Sequence, residues 1–504
     1  GGGGEGAGKG TLPKSKRGLT AKQQEAVNAL FQAGVIESED DVFKTDFSDG
    51  SMPPLHSQAR KGNHVAVGQL LSLDTEKSSS RLIYGSRTPL HQAAAAKEGR
   101  IKTCKLLLDF DDWQLSQKTT DGRTPYHMAS ESDDDGTALV ELFLTKSGVG
   151  MLAEKRNNGS NCLHMACSAG RLGMVAAVLV ADPALVNVVD GEKRTPLHLA
   201  ANAGHENVVG IIVGTPGVQL ATKDSHGYTC VSLAALGGHA AIVKTLIGKD
   251  KALASIVDGA GKSPFDLAAE HGKTAGHWKA AQALLDADPT LISGKAAQSP
   301  LHYAAQYGSM EGVKLILARD EAMIKNKNKD NNTPLHMAAA GGHLAVLQEL
   351  IRVNGGVGDA NAEGSNLLHL ACAGGHLEVV SALLKSHPDL AKGRDAKGYS
   401  CLFSASLVKK PDPKVAKALL AAAPELLFST DAAGKTVLHH VAEAGTCEDL
   451  VWLFAEKGGE KLVKMKDGKG ADVLEHAAPS CGQILEDVLE REHEDAAGAH
   501  ARNV

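Results

Sequence analysis

Histidine offers the most obvious chemistry in this sequence, which contains 22 histidines among 504 residues. Imidazole nitrogens bind zinc where three or four ligands converge, and they act as general bases near neutral pH. Nine of these histidines recur at one position of a short repeated motif, which favours a structural role. Four more lie seven residues beyond that position: His205, His239, His343 and His376. The pairs His271/His277 and His493/His500 lack a third ligand nearby, so we predict no metal site and no cofactor.

A glycine-rich segment near the first residue suggests nucleotide chemistry. Gly3-Gly4-Glu5-Gly6-Ala7-Gly8-Lys9-Gly10-Thr11 resembles the phosphate loop of nucleotide kinases related to adenylate kinase, in which backbone amides and a lysine hold phosphates. Such a loop must follow a strand and open a helix. Nothing of that kind precedes it here and Pro13 follows at once, so the sequence favours a flexible tail over a nucleotide site.

The eight cysteines are the remaining candidate nucleophiles. They show no CxxC spacing, and most lie inside helical patterns, as Cys162 and Cys167 do. Buried free thiols in a reducing compartment are the simpler interpretation. The acidic run Asp133-Asp134-Asp135 lacks the glycine-centred loop of a calcium site, so we predict a solvated turn there. The sequence therefore predicts no catalytic residue.

One short motif recurs along the chain and defines the elements that position these residues. It consists of a small polar residue, a second residue that is often proline, an apolar residue, histidine, a variable residue and alanine. Its clearest copies are Thr88-Pro89-Leu90-His91, Thr195-Pro196-Leu197-His198 and Thr333-Pro334-Leu335-His336. We call the position of the histidine the signature position; it falls at residues 56, 91, 127, 164, 198, 232, 266, 302, 336, 369, 403 and 439. Successive positions are 33 to 37 residues apart, which defines repeats 1 to 12. A degenerate repeat 13 follows at Ala471-Asp472-Val473-Leu474.

Three repeats depart from the motif. Repeats 6, 7 and 11 carry Ser232, Asp266 and Phe403 at the signature position. For the adjacent pair Ser232 and Asp266, local weakening of the two repeats is one interpretation, and a hinge or a specialised binding segment is the other.

These copies resemble the ankyrin repeat, whose motif is Thr-Pro-Leu-His-x-Ala with a period of about 33 residues. The resemblance covers roughly residues 43–490, about nine-tenths of the chain. Lead-in segments such as Asp182-Pro183-Ala184-Leu185 are similar to those of long ankyrin arrays common in plants and algae, many of which carry a membrane segment that this sequence lacks. The resemblance implies an all-α solenoid of 12 to 13 helix-turn-helix repeats with β-turn fingers and capping helices.

The residues of the motif have physical roles that agree with this fold. Thr195 can cap the first helix of its repeat, and Pro196 suits the first turn, where its missing N–H is not needed. Gly204 ends that helix, because glycine adopts a left-handed backbone most easily. The second helix buries an apolar face made of Val208, Val209, Ile211 and Ile212. No repeat can bury that face alone, so stacking must hold the array together.

The sequence divides into four segments. Residues 1–18 are Gly-rich and residues 495–504 are polar, and both are predicted to be disordered tails. Residues 19–42 are predicted to form an N-terminal capping helix that begins with a capping box at Thr20-Ala21-Lys22-Gln23. Residues 43–494 are predicted to form the repeat domain, closed by a helix that contains Ile484, Leu485, Val488 and Leu489.

Composition excludes several function classes. The net charge of -6 offers no electrostatic case for nucleic acid or an anionic membrane. No apolar run approaches the roughly 20 residues that span a bilayer, and the N-terminus lacks a signal-peptide region. We therefore expect a monomeric cytoplasmic protein, or a nuclear one, with no membrane insertion. The missing initiator methionine leaves open that a further domain adjoins this chain.

The ankyrin resemblance implies that function lies on the surface. Proteins of this family bind other proteins or peptides through the finger tips and the first-helix face, which line a concave groove. The corresponding positions here are Arg87, Arg123, Asn158, Lys193, Arg194, Asn202, Tyr228, Gln306, Tyr307, Asn332 and Tyr399. Tyrosine and arginine are favoured in binding hot spots, and aromatic residues make up only 4% of this chain. The finger Lys325-Asn326-Lys327-Asn328-Lys329 is basic and could meet an acidic partner.

We therefore predict a non-enzymatic scaffold or adaptor. Two alternatives remain: the targeting or regulatory portion of a larger enzyme or channel, and a nucleotide kinase that uses the N-terminal loop.

Overall fold

The computed structural model describes residues 19–38, 40–44, 51–74, 76–131, 136–293, 298–445 and 447–502. The Gly-rich tail of residues 1–18, with its loop that resembles a phosphate loop, lies outside these ranges, and so does the acidic run at residues 133–135.

The described chain is helical, and its only β-structure is two isolated bridges, Tyr84 with Arg87 and Thr430 with Thr436. The α-helices are α1 Ala21–Gln32, α2 Asp40–Phe43, α3 Pro54–Lys61, α4 His64–Leu73, α5 Ser78–Arg81, α6 Pro89–Ala94, α7 Arg100–Phe110, α8 Pro125–Glu131, α9 Thr137–Ser147, α10 Cys162–Ala169, α11 Leu172–Ala181, α12 Pro196–Ala203, α13 Glu206–Gly214, α14 Cys230–Leu236, α15 Ala240–Lys249, α16 Pro264–Glu270, α17 Ala275–Ala287, α18 Pro300–Gln306, α19 Met310–Leu317, α20 Pro334–Ala340, α21 Leu344–Asn354, α22 Leu367–Ala373, α23 Leu377–Ser386, α24 Cys401–Ser406, α25 Pro413–Ala422, α26 Val437–Ala444, α27 Glu448–Val463, α28 Val473–His476 and α29 Pro479–Arg502. The all-α fold predicted from the sequence is confirmed.

Short 3₁₀ helices connect many of the repeats. They are Asp112–Ser116, Val149–Ala153, Pro183–Asn187, Lys251–Ser255, Pro289–Ser293, Glu321–Lys325, Pro388–Lys392 and Pro424–Phe428. Several coincide with the Asp-Pro lead-in segments. Asp182 shows why: its carboxylate accepts a hydrogen bond from the Ala184 N–H at 3.1 Å and thereby caps the first turn, while Leu185 is buried beneath it.

The chain forms two compact units, Gly1–Pro264 and Phe265–Val504, which we call the N-terminal unit and the C-terminal unit. The division falls inside the motif of repeat 7. Within each unit, first helices pack against first helices and second helices against second helices, as α10 packs on α12 and α11 on α13 in the N-terminal unit. The C-terminal unit repeats this arrangement with α18 on α20 and α19 on α21.

Repeat 5 shows how the motif produces this packing. Thr195 caps α12, with its hydroxyl 2.8 Å from His198 Nδ1, and Pro196 occupies the first turn. Gly204 ends the helix with φ of 80°, and a Cβ there would lie 2.5 Å from the His239 ring of the next repeat. Glycine is therefore required both by the left-handed backbone and by the close approach of repeat 6.

The core of repeat 5 lies between its two helices and the neighbouring repeats. The second helix buries Val208, Val209 and Ile212 completely or nearly so, as predicted, and Val213 joins them at 7% exposure. Ile211, which the sequence places on the same face, is only half-buried. Each fully buried aliphatic side chain contributes about 1.5 to 3 kcal/mol, so a second helix of this kind depends on its stacked neighbours.

Both ends carry a closing helix. At the front, α1 has the predicted capping box at Thr20 and Gln23, and it packs Val27 and Leu30 against α4. At the back, α29 packs against α27 and buries Leu485 and Val488.

The predicted disordered tail at residues 495–504 needs correction. The closing helix α29 continues to Arg502, and only residues 503–504 lie outside the described part of the chain. Four alanines between residues 496 and 501 explain the helix, because alanine has the highest intrinsic helix propensity. None of the helices in the described ranges combines the length and the apolar character that crossing a membrane requires.

Candidate interaction surface

Most signature histidines link their own repeat to the next one. In repeat 2, His91 Nδ1 accepts the Thr88 N–H at 3.2 Å, which leaves Nε2 to carry the proton. That Nε2–H donates to the Arg123 carbonyl of repeat 3 at 3.1 Å. Seven of the nine signature histidines make this second bond, at 2.8 to 3.3 Å: His56, His91, His127, His164, His198, His302 and His369.

These imidazoles are neutral. Burial lowers the pKa of His91 to about 4, and it does the same for His56, His127 and His164. Desolvation outweighs the favourable backbone hydrogen bonds, so a proton would be added only well below neutral pH. Their ring nitrogens serve in the hydrogen bonds that hold the repeats together.

The same bonds fix the fingers, since the accepting carbonyl belongs to a finger residue. Six residues predicted from the sequence to contact partners hold this position: Arg87, Arg123, Arg194, Tyr228, Asn332 and Tyr399. The fingers also join one another directly: Gly191 N–H donates to the Asn158 carbonyl at 2.9 Å, and Ser225 N–H donates to the Glu192 carbonyl at 2.9 Å. The finger residues are thus presented on a backbone that is hydrogen-bonded from repeat to repeat.

Two of the predicted arginines are already engaged inside the N-terminal unit. Arg194 holds the buried Asp190 through Nε at 2.9 Å and Nη2 at 2.8 Å, and it holds Glu192 through Nη1 at 3.0 Å. Arg123 pairs with Asp121 at 2.6 Å and with Glu131. Both guanidinium groups are therefore neutralised within their own fingers and helices.

Four other predicted residues of the N-terminal unit lie near the surface. Arg87 is half-exposed, and Asn158, Lys193 and Asn202 are exposed. Lys193 adopts a left-handed backbone with φ of 61° at its finger tip. The carbonyl of Asn202 accepts a hydrogen bond from His239 Nε2 at 3.2 Å, so its side chain extends from a fixed point of the backbone.

Tyr307 has a structural role that its position in the sequence does not reveal. His205, His239, His343 and His376 each reach back to a carbonyl of the previous repeat at 2.8 to 3.2 Å. Repeat 8 has Ser309 at this position, and there the Tyr307 hydroxyl donates to the Glu270 carbonyl of repeat 7 at 3.0 Å. Tyr307 therefore replaces the missing histidine.

The predicted residues Gln306 and Asn332 belong to two short chains of amide side chains in the C-terminal unit. Gln298 donates to Gln306 at 3.2 Å and accepts from Asn328 at 3.2 Å. Asn361 donates to Asn332 at 2.9 Å. These amide side chains are uncharged, but the exposed cations Lys327 and Lys329 flank Asn328.

The other two predicted tyrosines stack on neighbours. Tyr228 lies against His226, with ring centroids 6.2 Å apart. Tyr399 stacks nearly parallel on the buried Phe403 at 5.0 Å, and the His440 ring meets both edge-on at 5.8 and 5.7 Å. His440 is held in turn by Asp431 at 2.8 Å. We call Tyr399, Phe403 and His440 the aromatic cluster.

Each unit carries a row of apolar residues that was not predicted. The residue directly after the signature position is large and apolar in eight successive repeats, four in each unit. It is Met128, Met165, Leu199 and Leu233 in the N-terminal unit, and Leu267, Tyr303, Met337 and Leu370 in the C-terminal unit. Met165, Leu199, Met337 and Leu370 are half-exposed and the others are buried. A comparison of the variable position across repeats could have found this row.

The described histidine, cysteine and acidic side chains can be compared with the requirements of a metal site or a reactive thiol. No group of three or more of these described side chains comes together as metal ligands would. His271 and His277 each bond within their own repeat, to Leu267 and Thr274. All eight cysteines are free thiols, and burial raises the pKa of Cys162 and Cys230 to about 12, which makes them poor nucleophiles.

Comparison with known protein families and proteins identifies the repeats. The family described as "Ankyrin repeats (3 copies)" matches residues 55–149, 134–224 and 274–356, and the family "Ankyrin repeat" matches residues 363–393. A transient receptor potential cation channel subfamily A member 1 homolog from Caenorhabditis elegans is 49% identical over 41 residues. That match covers 8% of this chain and only 3% of the length of the channel homolog.

Two solved structures are also similar. The ankyrin repeat domain of Bcl-3, a member of the IkappaB family, is 22% identical with a TM-score of 0.37, and the match covers 43% of this chain and 93% of that one. A chain from the structure of the Bdellovibrio bacteriovorus endopeptidase Bd0816 with its immunity protein Bd3460 is 24% identical with a TM-score of 0.33, over 37% of this chain and 96% of that one. The family matches to three copies of the repeat span just over half of the 504 residues, so this chain belongs to the ankyrin-repeat family.

Proposed function

We propose that this chain is a non-enzymatic scaffold or adaptor that binds other proteins or peptides on its finger and first-helix surface. The observation that carries the proposal is the row of apolar residues after the signature position. Met165 and Leu199 in the N-terminal unit, and Met337 and Leu370 in the C-terminal unit, are ordered and half-exposed. Polar finger residues border them. An apolar centre with a polar rim is the usual anatomy of a protein interface.

The chemistry of the buried residues supports binding over catalysis. Seven signature histidines, such as His91, donate to backbone carbonyls, burial lowers the pKa of His91 to about 4, and seven of the eight thiols are buried. Membership of the family alone does not establish a function, because function depends on the site. Turnover of a small substrate, abolished by a point substitution that leaves folding intact, would contradict the proposal.

Site-specific photo-crosslinking tests where partners bind. A photoreactive amino acid at Asn202 or Ala340 would lie exposed on a first helix, and at Val180 or Gln348 it would lie exposed on a second helix. In lysate from the source organism, we expect discrete cross-linked products from the first-helix positions and few from the matched second-helix positions. Equal or absent cross-linking at both kinds of position would contradict the proposed surface.

The second candidate is that this chain serves as the targeting or regulatory portion of a larger enzyme or channel. The short match to the cation channel homolog favours it. The test is the full open reading frame of the gene and its transcript. A catalytic or membrane-spanning segment joined to these repeats would support this candidate over the free adaptor.

A third candidate, a nucleotide kinase, depends on the loop around Lys9, which lies outside the described residues. It predicts that ATP raises the melting temperature and that Lys9→Ala removes the effect. No shift with ATP would dismiss it.

We further propose that the protein is monomeric and resides in the cytoplasm or nucleus. Eight free thiols are consistent with a reducing compartment. Light scattering should give a mass near 52.4 kDa for the chain by itself, and a fluorescent fusion should report the compartment.

A further inference from the structure

We propose that the fingers of repeats 11 to 13 bind an acidic peptide segment that carries one large apolar side chain. This inference rests on the proposed scaffold function and specifies the chemistry of one partner. Two features carry it: a group of exposed cations, Arg394, Lys397, Lys466 and Lys469, which we call the basic finger row, and the aromatic cluster beside them.

The acidic side chains of these fingers are turned inward. Asp395 accepts the N–H groups of Lys397 and Tyr399 at 2.9 and 2.8 Å. Asp431 and Asp467, with side chains 6% and 2% exposed, make the same turn bonds. A partner therefore meets few carboxylates at these finger tips.

The cations, by contrast, are available. All four residues of the basic finger row are exposed, and none has a carboxylate within ion-pair distance among the side chains that the structure describes. Lys392 and Lys464, which flank these fingers, pair with Asp389 and Glu460, so each finger has two unpaired cations beside one inward-turned aspartate. The chain as a whole has a net charge of -6, so this local excess of positive charge is opposite in sign to the rest.

Backbone hydrogen bonds place these fingers side by side. Ala432 N–H donates to the Lys397 carbonyl at 3.3 Å, and Gly468 N–H donates to the Ala433 carbonyl at 2.9 Å. The fingers of repeats 11, 12 and 13 consequently form one continuous edge. A single extended segment of a partner can contact all three.

The aromatic cluster supplies an apolar contact next to this charge. Tyr399 is half-exposed and is held by its stack on Phe403, so a partner would not need to order it. Lys397 Nζ lies 6.0 Å from the centre of the Tyr399 ring. Leu407, four residues after Phe403 at the end of the same first helix, is 38% exposed and gives repeat 11 a second exposed apolar side chain. An apolar side chain on Tyr399 would thus place a neighbouring carboxylate near Lys397.

The distribution of charge favours a peptide over a nucleic acid. In repeat 12, between the two basic fingers, Lys435 is paired with Glu443 at 2.6 Å. The finger of repeat 10 adds Asp359 and Glu363, which are exposed. A nucleic acid backbone carries charge at every phosphate and would meet these carboxylates, whereas a peptide can place its acidic residues at the basic fingers alone.

The experiment uses the full chain and fluorescence anisotropy with a labelled glutamate-rich peptide that contains one central leucine. We expect saturable binding that weakens with added salt. The double substitution Arg394→Glu and Lys397→Glu should lower the affinity about tenfold or more, since it reverses two charges at the site. The matched control is Lys325→Glu with Lys327→Glu in the basic finger of repeat 9, which lacks aromatic neighbours, and it should change the affinity by less than about twofold.

A second pair of variants tests the apolar contact. Tyr399→Ala should weaken binding about tenfold, and Tyr399→Phe, which keeps the stack, should bind as the wild type does. Circular dichroism and melting curves check that Tyr399→Ala remains folded. The inference is overturned if the peptide fails to bind at low salt, if a homopolymeric RNA binds as tightly, or if the repeat 9 control loses as much affinity. If first-helix positions still cross-link to partners in that case, only this inference fails and the scaffold proposal stands.

Discussion

Two fingers, those of repeat 5 in the N-terminal unit and repeat 11 in the C-terminal unit, use their cations in different ways. In the N-terminal unit, Arg194 of repeat 5 is paired with carboxylates of its own repeat, as is Arg123 of repeat 3. In the C-terminal unit, Asp395 makes the same two turn bonds as Asp190, but the position four residues later is Tyr399 instead of an arginine, and Arg394 and Lys397 remain unpaired. A finger cation can therefore stabilise the fold or face a partner, and its position relative to the turn carboxylate decides which.

The two units also differ in how they accommodate a missing signature histidine. In repeat 6, Ser232 fills little space, and its hydroxyl lies 3.1 Å from the Thr229 hydroxyl of the same repeat. In repeat 11, Phe403 is completely buried and joins the aromatic cluster. Loss of the histidine leaves a small side chain in one case and adds apolar contact in the other.

Acidic pH should produce the largest change in the free energy of unfolding. Burial lowers the pKa of His56, His91, His127 and His164 to about 4, against 6.5 for an unperturbed histidine. As the pH falls below about 6.5, the unfolded chain takes up protons that the folded chain does not. The free energy of unfolding should therefore decrease, by on the order of 2 to 3 kcal/mol per group, until the folded histidines protonate near pH 4.

This acid effect should differ between the units. Burial lowers the pKa of four signature histidines of the N-terminal unit to about 4. In the C-terminal unit it lowers the pKa of His336 to about 4, and it also lowers the pKa of His302, His369 and His439. Hydrogen exchange measured by mass spectrometry at pH 7 and pH 5, corrected for the intrinsic rate, should show earlier loss of protection in the N-terminal unit. Equal loss in both units would contradict this prediction.

The next largest change in stability concerns Phe403 and Ser232, which stand where other repeats have the signature histidine. Phe403→Ala should lower the free energy of unfolding by about 3 to 5 kcal/mol, because it opens a cavity in a packed aromatic core. Ser232→Ala should change it by less than about 1 kcal/mol. Urea denaturation monitored by circular dichroism measures both. Similar values for the two variants would mean that the packing of Phe403 contributes little to stability.

Replacing a paired or an unpaired finger cation by alanine should give a smaller difference in the free energy of unfolding. Arg194→Ala should lower the free energy of unfolding by about 1 to 2 kcal/mol, since it leaves the buried carboxylate of Asp190 without its charged partner. Lys397→Ala should change it by less than about 0.5 kcal/mol, as is usual for an exposed surface residue. Thermal and urea unfolding of the two variants provide the measurement, and a larger loss for Lys397→Ala would reverse the comparison between the units.

Substitution of Tyr307 should produce the smallest change in the free energy of unfolding. Tyr307→Phe removes one hydrogen bond to the Glu270 carbonyl and should lower the free energy of unfolding by about 0.5 to 1.5 kcal/mol. Asn202→Ala, at an exposed position of the N-terminal unit, serves as the control and should have almost no effect. If Tyr307→Phe is equally silent, Tyr307 is free to act as the partner contact that its position in the sequence suggests.

Much of the fold could be predicted from the sequence because its determinants are local and repeated. The cap at Thr195, the proline that follows and the glycine at residue 204 act within one repeat, and the structure places them as predicted. The C-terminal tail was the exception, since a polar composition conceals the helix propensity of its alanines. Of the predicted surface residues, Asn158, Lys193 and Asn202 are exposed, whereas Arg123 and Arg194 are engaged in ion pairs.

The sequence by itself determined the repeat, its period, its helix caps and the residues that fill its core, because each of these follows from local backbone preference and apolar spacing. Only the tertiary structure decided which surface groups are available. Tyr307 meets Glu270 from 37 positions away, and His440 reaches Tyr399 from the next repeat. Such partners are set by how repeats stack, since stacking brings together side chains that have no fixed spacing within a repeat.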